Sequence, residues 1–377
     1  MTEIGAYAFR DCTGLTEVTF SQGYIQLGNG VFEGCTGLEE LSGIGGSCYV
    51  DGNGVIYCVV DGTAYVAYCP EGVTPLTEIP LEDEINYGYP VSGLTVIASG
   101  GDDNRDGSGG CSWILVNEDG VNTLYTYGSG TLMSSGWDSY GDIIDKIVID
   151  DDFTAIYSYA FDSCTGVSEV VFPDGYFKMY TQVFPTDSVY NIPLGSYYKS
   201  GDGVVYLVID DEAYVVFQPE GTTIPEQIPT ESGAMGYTVM PGKVIDSDYY
   251  TSTTSGYYNI PPMWYVVELP NGEQKLIIIG EKGIKNQTKA SAYDWYGYQN
   301  TIDYLKICSG VTQIGNYSFQ GFTDLKEADI ATSVTTIGTY AFDGCTSMTT
   351  VTGTTAVNSI GDYAFRNCIR TISPFGP

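Results

Sequence analysis

In this 377-residue chain, the run with the plainest capacity for chemistry is Asp102-Asp103-Asn104-Arg105-Asp106-Gly107. Read from Asp102, it sets oxygen ligands at alternate positions (Asp102, Asn104 and Asp106) ahead of a glycine at the sharp turn, which is how a calcium loop opens. Such a loop closes on a bidentate Glu at its twelfth position, and here that residue is Trp113. A second stretch in the matching place, Asp246-Ser247-Asp248-Tyr249-Tyr250, has no turn glycine. An ordinary acidic loop is the plainer reading, and calcium is the one cofactor the sequence offers beyond none.

Other chemistry is scarce. The chain has no histidine, which removes Ser-His-Asp and Cys-His catalysis and the commonest transition-metal ligand. Asp150-Asp151-Asp152 and Asp210-Asp211-Glu212 fall at a strand–coil junction and a hairpin turn, where turn chemistry accounts for them. No acid stands out as one of the facing pair that glycoside hydrolysis requires. The expectation is a non-enzymatic protein with no catalytic residue. Lys plus Arg is 14 and Asp plus Glu is 47, a net charge of −33. That disfavours nucleic acid and anionic membrane surfaces, which need a positive footprint. No uninterrupted apolar run suits membrane insertion, and no signal peptide is visible.

The elements that would position any site are repeats. Ile4-Gly5-Ala6-Tyr7-Ala8-Phe9-Arg10-Asp11-Cys12 returns as Ile337-Gly338-Thr339-Tyr340-Ala341-Phe342-Asp343-Gly344-Cys345. The repeated Phe falls at 9 and 32, at 161 and 184, and at 319, 342 and 365, always 23 residues apart within a group. A fixed period of that length signals a solenoid whose coils must stack to make a core. Past the Cys comes Leu15-x-x-Val18-x-Phe20, matched by Val167-x-x-Val170-x-Phe172 and Leu325-x-x-Ala328-x-Ile330. This pattern predicts one short strand per coil. Gly5, Gly315, Gly338 and Gly361 mark a place where backbone bends or packs closely.

The run Ile-Gly-x-Tyr-Ala-Phe-x-x-Cys followed by Leu-x-x-Val resembles the BspA-like leucine-rich repeat of bacterial and protist surface proteins, over about 1–45, 153–190 and 311–372. The resemblance implies an extracellular or cell-surface location. Two coils depart from it: Met179-Tyr180-Thr181-Gln182-Val183-Phe184 lacks the glycine and has Asp187 in place of Cys, and Phe322 replaces Cys in the fifth coil.

A longer repeat lies over the short one. Asp51-Gly52-Asn53-Gly54-Val55-Ile56-Tyr57 matches Ser200-Gly201-Asp202-Gly203-Val204-Val205-Tyr206 at an offset of 149, as Pro70-Glu71-Gly72 matches Pro219-Glu220-Gly221. Strand-like runs around Asp61-Gly62-Thr63 and around Asn117-Glu118-Asp119-Gly120 predict hairpins. Trp137 and Trp295 each lead into a strand, Lys146-Ile147-Val148-Ile149 or Leu305-Lys306-Ile307. The expected fold is a β-rich solenoid of BspA-type coils alternating with antiparallel β-hairpin modules in a tandem array. Its segments are coils 1–2 at 1–45, a hairpin module at 46–150, coils 3–4 at 151–195, a second module at 196–308, and coils 5–7 at 309–377.

Of the ten cysteines, Cys12, Cys35, Cys164, Cys345 and Cys368 hold one repeat position and read as a buried thiol ladder. Cys48, Cys58, Cys69, Cys111 and Cys308 remain, and their counterparts are not cysteine: Tyr197 for Cys48, Leu207 for Cys58, Gln218 for Cys69. Cys58 and Cys69 are expected on one sheet face, with Cys58 opposite Tyr65 and so too far from Cys69 to bond; Cys48–Cys69 is the pairing left open. Asn286-Gln287-Thr288 and Asn316-Tyr317-Ser318 fit the glycosylation sequon, relevant in a eukaryotic source, with Asn286 and Asn316 as acceptors.

Two partner classes follow. The first and last coils carry no polar cap, so the leading expectation is head-to-tail self-association into a filament or surface lattice through Thr2, Ile4, Tyr7, Phe9, Phe365, Ile372, Pro374 and Phe375. The alternative is a monomeric adhesin that binds host protein or glycan through faces rich in the chain's 33 tyrosines.

Overall fold

The structure is a computed structural model that describes residues 3–38, 41, 43–81, 88–101, 111–134, 136–180, 182–185, 195–233, 235–249, 263–280 and 283–368. The fold is a β-rich solenoid, and its only helical elements among the described residues are short 3₁₀ turns such as Asp138–Tyr140 and Asp294–Tyr298. Two compact units, 1–192 and 193–377, each enclose cores of their own.

In the second unit, strands Ile302–Ile307, Glu327–Ile330 and Thr350–Thr352 pair in parallel, with partners one 23-residue period apart (Tyr304↔Glu327, Glu327↔Thr350). A second parallel ladder joins Gln313–Ile314, Thr336–Ile337 and Ser359–Ile360. Each of these coils therefore gives two short strands, where the sequence pattern predicts one. In the first unit Glu169–Val171 pairs with Lys146–Ile149. The equivalent residues 15–21 form no strand.

The turns pair as well as the strands. Tyr317 N–H donates to the Thr339 carbonyl (3.0 Å), Phe319 N–H to Ala341 (2.8 Å) and Gly321 N–H to Asp343 (2.8 Å). Tyr340, Phe342 and Gly344 repeat this toward Asp362, Ala364 and Arg366. In the first unit Tyr7, Phe9 and Asp11 do the same toward Asn29, Val31 and Glu33. These turns thus satisfy backbone donors that would otherwise be lost on burial.

Close approach explains the repeated glycine. A Cβ on Gly338 would lie 2.6 Å from the Asn316 backbone nitrogen, and one on Gly361 2.4 Å from that of Thr339. The left-handed residue of the turn is instead the tyrosine two places on, with φ of 63° at Tyr317, 57° at Tyr340 and 60° at Tyr363.

Inside the coils the Phe rings stack, at 5.2 Å for Phe319–Phe342 and 5.2 Å for Phe342–Phe365. Trp295 stands on Phe319 at 5.9 Å, and Trp137 on Phe161 at 5.3 Å. Each indole N–H donates to a carbonyl of the next coil, Ala160 or Ser318, at 2.9 Å. The Trp is the first rung of the Phe stack. The fourth coil keeps its rung despite its altered sequence, since Phe184 is buried and stacks on Phe161 at 5.3 Å. Phe322, in the Cys position, fills the core against Phe319.

The repeat cysteines are only partly the ladder expected. Cys35, Cys164 and Cys345 are buried, Cys368 is half-buried and Cys12 is exposed. Cys35, Cys345 and Cys368 also donate to the Phe carbonyl of the preceding coil, at 2.9, 3.2 and 3.3 Å. Burial pushes the Cys164 thiol up to about 12, so it is an unreactive group.

Between the coils run antiparallel strands: Gly46–Val50, Ile56–Val60 and Thr63–Tyr68 in the first unit, Gly195–Lys199, Val205–Ile209 and Glu212–Phe217 in the second. Asp61 and Gly62 turn the first hairpin with φ of 45° and 69°, as a two-residue turn of positive φ should. Cys58 lies opposite Tyr65 as expected, but Cys69 does not share its face. A bulge between the pairs Tyr57↔Val66 and Ile56↔Tyr68 adds one residue and reverses the alternation beyond it. Cys58 and Cys48 face one core, while Cys69 packs with the other and donates to the Val73 carbonyl at 3.2 Å. The Cys48–Cys69 pairing is thereby removed.

Gly338→Ala should cost about 1–3 kcal/mol, the price of forcing a methyl against fixed backbone, whereas Gly5→Ala should be nearly neutral because nothing lies within 4 Å of its Cβ position. Equal losses in urea denaturation of the two variants would contradict close approach as the cause.

Candidate binding surface

The left-handed turn residue points its side chain out of the coil, so a tyrosine there builds a ladder along one flank. Tyr317 and Tyr340 stack at 5.1 Å with rings 10° apart, and Tyr340 and Tyr363 at 5.0 Å with rings 20° apart. That spacing is close to the ~4.8 Å between neighbouring strands, which is what carries the rings. Tyr363 is 57 % exposed, and Tyr317 and Tyr340 are half-buried.

A polar row runs beside the rings. Residues 320, 343 and 366 occupy the position after Phe in successive coils and are Gln, Asp and Arg. Arg366 grips Asp343 with two bonds, Nε to Oδ1 at 2.9 Å and Nη2 to Oδ2 at 2.8 Å. Gln320 Nε2 (3.0 Å) and Asn367 Nδ2 (3.2 Å) complete the carboxylate's shell. The Arg366 guanidinium lies over both Tyr340 (5.0 Å) and Tyr363 (5.2 Å). Hydrogen bonding from Arg366, then from Gln320 and Asn367, holds the Asp343 carboxyl below its ordinary value despite burial. The first unit carries a smaller version. Arg10 lies 5.2 Å from the Tyr7 ring and pairs with Glu33 at 2.9 Å, and Tyr7 is 50 % exposed.

The sequence did not single out Gln320, Asp343 and Arg366. Their signal was present as complementary side chains one period apart, but it needs the coils in register to become a contact. A second such cluster, also unforeseen, joins Lys326 to Glu273 (2.5 Å) and Asp303 (2.9 Å), with Tyr304 Oη donating to Glu273 at 2.8 Å. The Lys326 hydrogen bond is the main reason the Glu273 carboxyl falls to about 2.

Asp102, Asn104 and Asp106 lie outside the described residues, and among those described no group of three or more His, Cys, Asp or Glu could hold a metal ion. Thr2, Ile372, Pro374 and Phe375 also lie outside them. Ile4 is half-buried and pairs with Leu27. Phe9 is 39 % exposed and stacks on Phe32 at 5.7 Å. Phe365 is half-buried. Asn286 is exposed, and its Oδ1 accepts from the Asn316 backbone N–H at 2.9 Å. Asn316 is half-buried, its Oδ1 accepting from Thr339 N–H at 2.8 Å. Among the described residues no helix is long and apolar enough to cross a membrane.

The sequence matches the family described as BspA type leucine rich repeat region, in six copies over residues 1–49, 139–210 and 287–373, more than half of the chain. No curated protein matches it. Among solved structures it is similar to a leucine-rich repeat protein of Eubacterium ventriosum ATCC 27560, with 21 % identity over 35 % of this chain and a TM-score of 0.27. The chain spans 40 % of that protein's length. It is also similar to a leucine rich cell surface protein of Faecalibacterium prausnitzii A2-165, at 16 % identity over 88 % of this chain and 95 % of the other, with a TM-score of 0.19.

Asp343 has a folded pKa below its unfolded value of about 3.9, so its stabilisation is complete above that pH and is lost as pH falls through the lower folded value. In wild type minus Asp343→Asn, the difference in thermal midpoint should be constant near neutral pH and shrink below about pH 4. A difference that does not change with pH would show the carboxylate's charge to be immaterial.

Proposed function

Because the chain belongs to the BspA type leucine-rich repeat family, we propose that it is a non-enzymatic repeat protein of the cell surface that binds another protein along its tyrosine flank. The observation that carries this is the ladder Tyr317–Tyr340–Tyr363 with Arg366 laid across it. Tyr and Arg are the residues that dominate protein interfaces, Tyr because it offers large rigid area at little entropic cost. Here both are already ordered, the rings by stacking and the guanidinium by Asp343, so binding would lose little further freedom. The charge of −33 draws positively charged partner surfaces and repels acidic ones.

The test is binding of the wild type and of Tyr340→Ala/Tyr363→Ala to an array of basic and acidic extracellular proteins, with a neutral glycan array alongside. Basic-protein binding that the double variant loses at least about tenfold, the range of an interface hot spot, is expected. Binding unaffected by the substitutions, or confined to glycans, would overturn the protein-partner reading.

One observation favours self-association as a second reading. Each turn donates N–H groups toward the following coil and accepts from the one before. Among the described residues no backbone group pairs with the N–H groups of Tyr363 and Phe365 or with the carbonyls of Ala6 and Ala8, which hold the matching positions. Phe9, with one ring neighbour among the described residues, is 39 % exposed where Phe32 is 1 %. In-register stacking of two copies would set Arg366 beside Arg10, so assembly would strengthen with salt. Negative-stain microscopy should show filaments from the purified chain at high salt and none from Phe9→Asp. Single rods from both would overturn self-association.

A further inference from the structure

Cys48 and Cys58 sit directly opposite each other on the antiparallel strands Gly46–Val50 and Ile56–Val60, and both are 0 % exposed. Asp51 N–H donates to the Val55 carbonyl at 3.0 Å, which makes that pair a hydrogen-bonded site of the ladder. Alternation through Val50↔Ile56 and Tyr49↔Tyr57 then leaves Cys48↔Cys58 at a non-hydrogen-bonded site. There the Cα atoms approach to about 4.5 Å, within the range a disulfide spans. The second unit repeats this ladder, with Ser200 N–H on the Val204 carbonyl and Tyr197 opposite Leu207. Both members of the pair are cysteine in one unit and neither is in the other.

From this register we infer that Cys48 and Cys58 are a disulfide-forming pair, an oxidative modification site that joins adjacent strands of the first unit. The inference is independent of what the tyrosine flank binds. The co-reactant is a disulfide-bearing oxidant, small molecule or thiol oxidoreductase. One cysteine thiolate attacks a sulfur of that disulfide, forming a mixed disulfide and releasing one thiol. The second thiolate attacks the cysteine-side sulfur of the mixed disulfide, forming Cys48–Cys58 and releasing the second thiol. The two cysteine protons end on the two released thiols, and the oxidant takes the two electrons.

In the folded chain the pair is held inside the core. The Cys58 sulfur lies 3.0 Å from the Ser99 hydroxyl, itself anchored on the Gly45 carbonyl at 2.8 Å. Its hydrogen bond with Cys48, and further that with Ser99, lower the Cys58 pKa against the effect of burial. Cys48 is raised by the same hydrogen bond and by burial. Since neither thiol is exposed, the reaction belongs to the folding chain, before the core closes. The remaining thiols offer no rival in this core: Cys69 lies on the other sheet face, and Cys35 is committed to the Phe9 carbonyl.

The full chain would be made both in the bacterial periplasm, an oxidising compartment, and in the reducing cytosol. Each sample is denatured in iodoacetamide and mapped by mass spectrometry without reduction. The periplasmic protein should yield a linked Cys48–Cys58 peptide that the cytosolic protein lacks. Its melting temperature should fall to the cytosolic value after it is unfolded and refolded in dithiothreitol. Cys48→Tyr/Cys58→Leu, which installs the second unit's own pair, should melt at one temperature regardless of reductant. Separate alkylation of both cysteines in the periplasmic protein, or linkage of either to another cysteine, would overturn the assignment.

Discussion

Adjacent coils come so close that a turn's backbone N–H groups reach the carbonyls of the next turn, at 2.7–3.0 Å for Tyr7 and Phe9, Tyr159 and Phe161, Tyr317 and Phe319, and Tyr340 and Phe342. The rest of the solenoid follows from that separation. No Cβ fits where the turn passes its neighbour, so Ile-Gly recurs. The chain must then reverse within three residues. It does so by placing the tyrosine in the left-handed region, at a cost of about 1–2 kcal/mol per residue. Stacked neighbours and a hydrogen-bonded N–H offset that cost in Tyr317 and Tyr340. Inward, the same separation sets the Phe rings face to face; outward, it sets the Tyr rings.

The separation also governs the polar flank. Side chains one period apart are as close as cross-strand neighbours, near enough for direct bonds. A carboxylate at 343 therefore meets an amide from the coil before and a guanidinium from the coil after. Buried to 4 % exposure, it is acceptable only because every donor is present. The aromatic and polar rows thus make one preformed surface: Asp343 fixes Arg366, and Arg366 covers Tyr340 and Tyr363. The antiparallel strands between coils follow other rules. There a single bulged residue decides which face every later side chain takes, and so which cysteines can meet.

The 23-residue spacing of Phe, the Ile-Gly step and the Asp-Gly turns were legible in the chain itself, because each is a local or strictly periodic consequence of backbone geometry. So was the Trp ahead of the second and third coil groups, though not that its indole would serve as the first rung. The exposure of Cys12 and the missing strand at 15–21 were not legible, because the local sequence matches that of the other coils. The face of Cys69 was not legible, because strict alternation ends at a bulge that no residue type announces. The tertiary structure alone brought Gln320, Asp343 and Arg366 into one cluster and set Cys48 against Cys58, since both depend on register between segments. Periodicity determines that coils will stack and with which side chains; which atoms then touch is decided by the backbone separation and register that only packing supplies.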